Sequence, residues 1–488
     1  MVSFSGGSCK LFKSHGVGKG MQIDEYSSDG NPGGMKKRLT LIMPSIGRKP
    51  AQKYISTWQM EPLVLAVLAS LTPDDWEITI QDDRVEPVDA SIEADLVGIT
   101  TETYTARRAY QIAAKYRKRG IPVVMGGYHP TLWPDEVEKY ADAIVVGPAE
   151  GIWEQVLTDA AAGCLKKRYD GPQDFPWKGI FPKREVYAGK NYLPLALVEF
   201  SRGCSHHCSF CSITSFTRGR HYFRPPEEVA EEIRRTGQKI VFLIDDNIAA
   251  NPTAVLDLCR ALKPLNIKWV TQISVEAAAD PELIGAMASS GCVGVLIGFE
   301  SLRSDLLCSL NKNSNESIEL YERALAQLKK NNVCVYATFL FGIDGDDISS
   351  FPKTLEFANK HKFFLVAFNH LVPFPGTALY AKLEAQGRMV SPAWWLEEKF
   401  GFGQVPFKPM MLPPEQLAEM CREYRQKFYS LRSIVRRGLA PQTNMQNLST
   451  LLLFLTQNYY GRREVNEKFG IPLGFPEDNH LLEDLNQP

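Results

Sequence analysis

The chain has 488 residues, of which 44% are hydrophobic and 23% charged, a composition typical of globular proteins with two or three domains. Its formal net charge of −1 gives no overall electrostatic footprint for nucleic acid or for an anionic membrane surface. No apolar run approaches the ~20 residues of a membrane span. The run at 448–455 is too short and is predicted to be a buried helix face.

The first 34 residues are rich in Gly, Ser and Lys and lack the apolar core of a signal peptide. They predict a disordered leader, and Met35 is an alternative start. The ten cysteines are scattered along a long chain, which argues against a disulfide framework. These features together predict a reducing, cytoplasmic setting.

Short apolar runs alternate with helical patterns over residues 35–165. Strands are predicted at 39–43, 77–81, 96–100, 122–125 and 143–146, and helices at 61–71 and 104–119. Buried strands separated by helices indicate an open parallel sheet, which binds ligands at the carboxyl ends of its strands. The loops at that edge are 44–50, 100–103, 126–129 and 147–150.

A stretch rich in Pro, Lys and Gly at 171–192 marks a linker, which we place at 166–192. Six strand–helix units follow over 193–388, with strands at 195–200, 240–244, 269–273, 293–298, 333–340 and 364–368. Their helices lie near 226–236, 253–262, 282–290, 317–331 and 349–360. Six parallel units predict an open barrel rather than a closed barrel of eight. Residues 389–488 predict a mostly helical cap.

Three cysteines after the first of these six strands form the strongest motif. Cys204, Cys208 and Cys211 are spaced Cys-x3-Cys-x2-Cys, with Phe210 before the last. A cubane iron–sulfur cluster takes four ligands, so three thiolates leave one iron open for a small molecule. Zinc is the alternative, since His206 and His207 stand between the thiols, but no second Cys or His pair with zinc-site spacing accompanies them in the sequence. Packing or hydrogen bonding is the expected role of the two histidines.

The cysteine motif resembles the signature of the radical S-adenosylmethionine (SAM) enzymes. The stretches 96–106, 123–130 and 145–150 resemble the cobalamin-binding domain of the cobalamin-dependent members. The resemblance implies an α/β protein with a Rossmann-like domain over 35–165, a partial (βα)6 barrel and a helical cap. It also implies a 4Fe–4S cluster on the three cysteines. The open iron would bind SAM, which one electron cleaves to methionine and a 5′-deoxyadenosyl radical.

Polar groups at the strand ends are the candidate cofactor contacts. For SAM they are Phe210, Asp245, Asp246, Asn247, Gln272 and Glu300, and for cobalamin they are Thr100, Thr101, Gly126, Gly127 and Gly147. Which of residues 245–247 would hold the SAM amino group stays open, and a helix N-cap is the alternative for this trio.

Cobalamin domains often carry Asp-x-His-x-x-Gly, whose His ligates cobalt, but the corresponding loop at 44–50 has no His. Cobalt would then have no His ligand, another group would serve, or the domain would have lost cobalamin. His129 is a substitute ligand or a loop residue. His370 is a substrate or cofactor contact or a structural residue.

The resemblance implies cobalamin-dependent methylation of an unactivated carbon in a small molecule or peptide. One SAM would charge cobalt with a methyl group, and a second would supply the radical that removes a substrate hydrogen. The alternatives are radical ring closure or rearrangement, radical SAM chemistry beside a vestigial cobalamin domain, and a metal-binding module without catalysis. An electron donor such as flavodoxin or ferredoxin is the expected partner, with no nucleic acid and no transmembrane segment.

Overall fold

The computed structural model describes residues 36–49, 59–312 and 317–483. The predicted leader at 1–34, Met35 and the last residue of the loop at 44–50 lie outside these residues. Two six-stranded parallel sheets and a C-terminal group of helices make up most of the described chain. The α/β fold class is therefore confirmed.

The first sheet is the one predicted for residues 35–165. Its strands are β1 Lys37–Met43, β2 Trp76–Asp82, β3 Leu96–Thr100, β4 Val123–Gly126, β5 Ala143–Val146 and β6 Arg168–Asp170. They lie in the order β2-β1-β3-β4-β5-β6, so the chain changes direction across the sheet between β1 and β3. Strand β6 lies inside the stretch predicted as a linker. Its single apolar side chain, Tyr169, is too little for a periodic signal.

Five helices connect these strands: α1 Leu63–Ser70, α2 Ala106–Arg117, α3 Tyr128–Leu132, α4 Pro134–Tyr140 and α5 Trp153–Ala161. Helix α2 is buried on nearly all sides because C-terminal residues cover its outer face. Gln111 exchanges two hydrogen bonds with the backbone of Phe475, at 2.8 and 2.9 Å.

The second sheet forms the predicted open barrel. The strands from here on are β7 Ala196–Val198, β8 Ser201–Gly203, β9 His221–Phe223, β10 Ile240–Leu243, β11 Lys268–Ile273, β12 Cys292–Glu300, β13 Cys334–Phe341 and β14 Leu365–His370. All six predicted strands are present, in the order β14-β13-β12-β11-β10-β7. Strands β8 and β9 form a separate antiparallel hairpin, which three-residue strands gave no pattern to predict.

The helices of the barrel and the C-terminal region complete the described chain. They are α6 Ser212–Thr217, α7 Pro226–Thr236, α8 Pro252–Leu262, α9 Val275–Ala278, α10 Pro281–Ser289, α11 Ser304–Ser309, α12 Ile318–Lys330, α13 Ser350–Lys360, α14 Ala378–Ala385, α15 Pro414–Phe428, α16 Leu431–Gly438, α17 Leu448–Lys468 and α18 His480–Glu483. None of the described helices combines the length and apolar character that crossing a bilayer requires.

The run at 448–455 corrects one prediction. It opens α17, but Leu448, Leu452 and Leu455 are 72%, 55% and 42% exposed. Within this run only Phe454 is buried. The prediction of a buried face was wrong because α17 packs through Phe454 and Asn458 and turns the other side chains of the run toward solvent.

A buried ion-pair network ties the C-terminal residues to the first sheet. Arg108 of α2 donates to Asp83 at 2.8 and 3.1 Å and to Asp478 at 2.8 Å. The same guanidinium lies 3.7 Å from the ring centroid of Phe475. Because Asp83 and Arg108 are both buried, each needs the other as a partner.

Arg108→Met is expected to lower the free energy of unfolding by about 3–5 kcal/mol, because it leaves Asp83 buried without its cation. The midpoint of urea denaturation measures this loss. Arg117→Met, on the same helix, is the matched control. Its ion pair with Asp142 is partly exposed, so its loss should cost under about 1 kcal/mol. Equal midpoints for the two variants would contradict the prediction.

Candidate functional site

The cysteine loop runs from the end of β8 to the start of α6. The antiparallel pairing of β8 with β9 holds the first end of the loop, and Cys211 is the N-cap residue of α6. Gly203, just before the loop, has φ +94°, and a Cβ at this position would collide with the carbonyl of Arg220. Only glycine fits this turn. Cys204, Cys208 and Cys211 are half-buried and form no disulfide.

The three thiols share one loop, but they do not converge as ligands of a single ion would. In the described part of the chain, no three His, Cys, Asp or Glu side chains are grouped for one metal ion. A cubane binds each thiolate through a different iron atom, so its sulfurs stand farther apart than the ligands of one zinc ion.

His206 and His207 hold the loop through their backbone. The carbonyl of His206 accepts from Thr214 at 3.0 Å, and that of His207 accepts from Asn311 at 2.7 Å. The ring of His207 packs against Gly219, where a Cβ would strike it. These contacts fit the packing role expected for both residues.

The end of β10 supports the cysteine loop through three consecutive side chains. Asp245 accepts a hydrogen bond from the backbone N–H of Ser201, and Asp246 accepts from that of Gly203 at 2.8 Å. The amide of Asn247 lies 3.6 Å from the sulfur of Cys204. Within this trio, Asn247 stands at the N-cap position of the short 3-10 turn 248–250 but makes no side-chain cap hydrogen bond, and Asn251 caps α8 with its own side chain.

Burial leaves this trio with unused hydrogen-bonding capacity. The pKa of Asp245 is raised to about 8 and that of Asp246 to about 6, in both cases chiefly by burial. One carboxylate oxygen of Asp245 and the amide oxygen of Asn247 are buried without a partner among the described residues. A buried acceptor without a donor is costly, so these oxygens are suited to a ligand that donates hydrogen bonds.

The end of β12 carries a second charged group. Glu300 has φ +62°, a left-handed backbone that non-glycine residues rarely adopt, and it lies at an irregularity in the pairing of β12 with β13. Lys312 donates to its carboxylate at 2.6 Å and to the carbonyl of Gly298 at 3.0 Å. Burial raises the pKa of Cys208 to about 12, and the nearby charge of Lys312 opposes this rise. The sequence analysis missed Lys312, because a lone lysine twelve residues beyond Glu300 belongs to no recognisable pattern.

Two other predicted positions, Gln272 and Phe210, have less specific surroundings. Gln272 lies within β11 and is partly buried. Ser274, the next polar residue, is the N-cap of α9. Phe210 is partly buried and packs against the main hydrophobic core.

The predicted cobalamin edge is a set of tight turns at the carboxyl ends of β3, β4 and β5. Thr101 is fully buried, and its hydroxyl has no partner among the described residues. Gly127 has φ +112° and backs directly onto Thr101, leaving no room for a Cβ. A Cβ at Gly147, in contrast, would meet nothing within 4 Å. Thr100 and Gly126 are the last residues of β3 and β4, beside these turns.

His129 is occupied by the protein itself. It is fully buried, with one ring nitrogen 3.2 Å from the hydroxyl of Thr103 and the other 3.2 Å from Glu136. Trp395 and Tyr110 donate to the same carboxylate, at 2.9 and 2.8 Å. With both nitrogens in hydrogen bonds, a structural role fits His129 better than cobalt ligation, but the residue lies in α3 rather than in the predicted loop.

The two sheets present their carboxyl ends to each other. Arg202, at the base of the cysteine loop, donates to Glu199 at 2.7 Å and to Glu150 of the cobalamin-edge loop at 3.1 Å. Tyr128, which follows Gly127, has its ring centroid 4.5 Å from that of Phe216 in α6. Neither residue was singled out from the sequence, since both depend on contacts between distant segments.

Both halves of the chain match known families. Residues 198–358 match the family model of the Radical SAM superfamily, and residues 59–157 match that of the B12 binding domain. The bacteriochlorophyllide d C-12(1)-methyltransferase of Chlorobaculum tepidum is 30% identical over 390 residues, covering 77% of this chain and 84% of that protein. The bacteriochlorophyllide d C-8(2)-methyltransferase of the same organism is 28% identical over 414 residues, covering 80% and 90%.

A solved structure shares this fold. The radical SAM methyltransferase TsrM from Kitasatospora setae, with cobalamin and a [4Fe-4S] cluster bound, superimposes with a TM-score of 0.57 at 16% identity. The match covers 89% of this chain and all of that chain. At this identity the likeness supports the fold, and the roles of single residues rest on the geometry above.

His370, at the end of β14, yields a prediction on pH. Burial lowers its pKa to about 4, and one ring nitrogen lies 3.0 Å from the carbonyl of Leu371. The unfolded chain therefore binds a proton near pH 6.5 that the folded chain does not bind until about pH 4. Stability from this group is complete above about pH 6.5 and is lost as the pH falls toward 4, by up to about 3 kcal/mol.

His370→Gln is expected to flatten the fall in unfolding free energy between about pH 6.5 and 4.5. Urea denaturation at several pH values measures the slope. His480→Gln, at an exposed position, is the control and should keep the slope of the wild-type protein. An unchanged slope in His370→Gln would show that this imidazole is not held neutral by burial.

Proposed function

The chain belongs to the cobalamin-dependent radical SAM enzymes, and on that premise we propose that it is a methyltransferase acting on an unactivated carbon. The observation that carries the proposal is the apposition of the two sheet edges through the Arg202–Glu150 ion pair and the Tyr128–Phe216 contact. Methylation of an unactivated carbon would need the radical source and the methyl donor to reach the same substrate carbon, and this apposition supports that proximity.

We assign the cluster to Cys204, Cys208 and Cys211, on a loop that leaves the fourth iron to SAM. When bound, the cluster supplies the electron that cleaves SAM, and cobalamin carries the methyl group. The chain's own contribution is to place these groups and to keep water away from the reacting carbon.

The unpartnered oxygens beside the cysteine loop fit the amino group of SAM. An ammonium would donate charged hydrogen bonds to the buried oxygens of Asp245 and Asn247. Asp246 then has a supporting role, because its hydrogen bond from Gly203 fixes the start of the cysteine loop.

Lys312 and Glu300 fit the remaining polar parts of SAM. We assign the ammonium of Lys312 to the SAM carboxylate, and the carboxylate of Glu300 to the ribose hydroxyl groups. The ion pair between them, at 2.6 Å, holds both side chains at the end of β12. Phe210 and Gln272 are proposed contacts of lower specificity on the same side of the barrel.

The cobalamin contacts are proposed at the turns of the first sheet. The unpartnered hydroxyl of buried Thr101 is suited to a hydrogen bond with the cofactor, and the open space at Gly147 allows a ligand close to the backbone. Thr100, Gly126 and Gly127 complete this edge. We propose that cobalt has no histidine ligand, since the loop at 44–50 contains none and His129 is occupied on both nitrogens.

An aromatic group where the three parts of the chain meet supports a planar, largely apolar substrate. Tyr104, after β3, contacts Phe374 of the loop after β14, with ring centroids 5.9 Å apart. It also contacts Trp394 and Phe402 of the C-terminal region, at 5.1 and 5.4 Å. Two relatives methylate bacteriochlorophyllide d, and we propose a tetrapyrrole-like pigment as the substrate class. A flavodoxin- or ferredoxin-like donor and a cytoplasmic location complete the proposal.

Anaerobic incubation of the reconstituted protein with a chlorin substrate, SAM and reductant is expected to release 5′-deoxyadenosine and S-adenosylhomocysteine in equal amounts. Chromatography of the products measures both. Release of 5′-deoxyadenosine without S-adenosylhomocysteine would favour ring closure or rearrangement. Turnover without added cobalamin would favour a vestigial cobalamin domain. Cys208→Ala should lose bound iron and both products, whereas Cys164→Ala, at an exposed position, should keep them.

Lys312→Met is expected to raise the KM for SAM about 10- to 100-fold, the effect of losing one charged hydrogen bond. Steady-state deoxyadenosine formation gives KM and kcat separately. Lys312→Arg should restore most of the affinity, and Lys330→Met, exposed in the last turn of α12, is the matched control. Wild-type KM in Lys312→Met would remove Lys312 from the SAM site.

A further inference from the structure

The exposed face of α17 is an apolar stripe. Leu448, Leu452, Leu455 and Tyr459 are 72%, 55%, 42% and 62% exposed. Their spacing of four, three and four residues places all of them on one face of the helix. A neighbouring face, with Phe454 and Asn458, packs inward.

Helix α16 and its C-cap repeat the pattern beside it. Leu431, Val435 and Leu439 are 66%, 64% and 59% exposed, at a spacing of four residues. Ile434 and Phe454 pack in one small hydrophobic cluster, which joins the two helices. Because Val435 follows Ile434 and Leu455 follows Phe454, both exposed stripes pass next to this contact. We call the two stripes together the α16–α17 face.

The charge of this segment has one sign. From Tyr424 to Arg463 the sequence contains seven Lys and Arg residues and no Asp or Glu, although the whole chain carries −1. Arg432 and Arg436 are exposed next to the α16 stripe, and Arg462 and Arg463 are exposed just beyond Tyr459. The net charge of the whole chain does not reveal this basic segment, because the Asp and Glu residues that balance it lie in other segments.

Acidic groups packed near these cations are few. Arg463 is paired with Glu467, one turn further along α17, at 2.5 Å. Among the described residues, no carboxylate forms an ion pair with Arg432, Arg436 or Arg462 in the structure. The α16–α17 face therefore combines apolar side chains with uncompensated positive charge.

We propose that the α16–α17 face docks the protein on the surface of an anionic lipid bilayer. Helices with an apolar stripe beside arginines lie in the plane of the interface, with the apolar side chains below the headgroups. Each cation close to an anionic leaflet adds to the attraction. Tyr459, with an apolar ring and a polar hydroxyl, suits the depth of the headgroups.

Charge complementarity favours a bilayer over a second copy of this chain. A two-fold contact would place the same patch on both partners. Arg432 and Arg436 of one copy would then approach the same face of the other, where the segment from Tyr424 to Arg463 offers no carboxylate to pair with them. An anionic leaflet provides both the apolar layer and the negative charge.

The test is flotation of the full-length, cluster-containing protein with vesicles in a sucrose gradient. Vesicles of phosphatidylcholine with about 30% phosphatidylglycerol should carry the protein upward, at least about tenfold more than vesicles of phosphatidylcholine alone. Binding to the mixed vesicles should fall as salt is raised, because salt screens the attraction to exposed arginines.

Two double variants divide the contributions of charge and apolar area. Arg432→Gln with Arg436→Gln should lower the partition coefficient on mixed vesicles about 10- to 30-fold. Leu452→Ser with Leu455→Ser should lower it at least about tenfold on the same vesicles. The matched controls are Arg234→Gln with Arg235→Gln on α7, and Ile318→Ser with Val390→Ser. All four control positions are exposed away from this face, and both control proteins should float like the wild-type protein.

Several outcomes would overturn the proposal. They are no flotation of the wild-type protein, equal flotation with both vesicle types, and flotation of the α16–α17 variants equal to that of their controls. The face would instead be assigned to a second copy of the chain if the wild-type protein is a dimer in light scattering and does not bind vesicles. The double variant Leu452→Ser with Leu455→Ser should then be a monomer. Deoxyadenosine formation in solution should be unchanged in both α16–α17 variants, so the result does not depend on the methyl-transfer proposal. If Leu452→Ser with Leu455→Ser loses its iron, the flotation of Arg432→Gln with Arg436→Gln decides whether the proposal holds.

Discussion

Arg202 joins the two halves of this protein through a single, largely buried guanidinium. It reaches Glu199 at the end of the first barrel strand and Glu150 in the loop of the first sheet, and it lies 4.7 and 4.6 Å from the ring centroids of Phe175 and Trp177. Charged groups withdrawn from water need partners nearby, so this contact fixes how close the two sheet edges come. Two cofactors bound at those edges can act on one substrate only if that distance is short and constant.

The cysteine loop gains its order from the strand next to it. Asp245 and Asp246 are buried at the end of β10 and hold the backbone of β8, from which the loop starts. Burial makes these carboxyl groups harder to ionise, as their raised pKa values express. A carboxyl group kept in such a place, with an unused oxygen, costs stability, and a hydrogen-bond donor bound there would offset that cost.

The C-terminal region connects parts of the molecule that the sequence separates widely. Phe475 and Asp478 cover α2 of the first sheet, and Trp394 packs on Tyr104 where the two sheets meet. The same region turns α16 and the start of α17 outward. The C-terminal region therefore covers the place where the two sheets meet and, elsewhere, presents the apolar and basic α16–α17 face. Which of its side chains are used for packing decides both.

The sequence by itself determined five of the six strands of the first sheet, all six strands of the open barrel and the spacing of the three cysteines. These depend on local periodicity and on short spacings, which tertiary packing did not override. Asp245 and Glu300 were candidates because they lie one and two residues beyond the predicted strands at 240–244 and 293–298. The sequence left open whether residues 245–247 cap a helix, and in the structure Asn247 stands at the N-cap position of the 3-10 turn 248–250 without a side-chain cap hydrogen bond.

Only the tertiary structure decided the contacts between distant segments. Lys312, Arg202 and Tyr128 have no local pattern, since their roles depend on partners in another loop or the other domain. From the sequence, the leucines at the start of α17 are predicted to be buried. The structure shows that only Phe454 is buried in the run at 448–455. Periodicity in the sequence shows that a helix has an apolar face. Whether another element packs on that face and buries it depends on the rest of the fold.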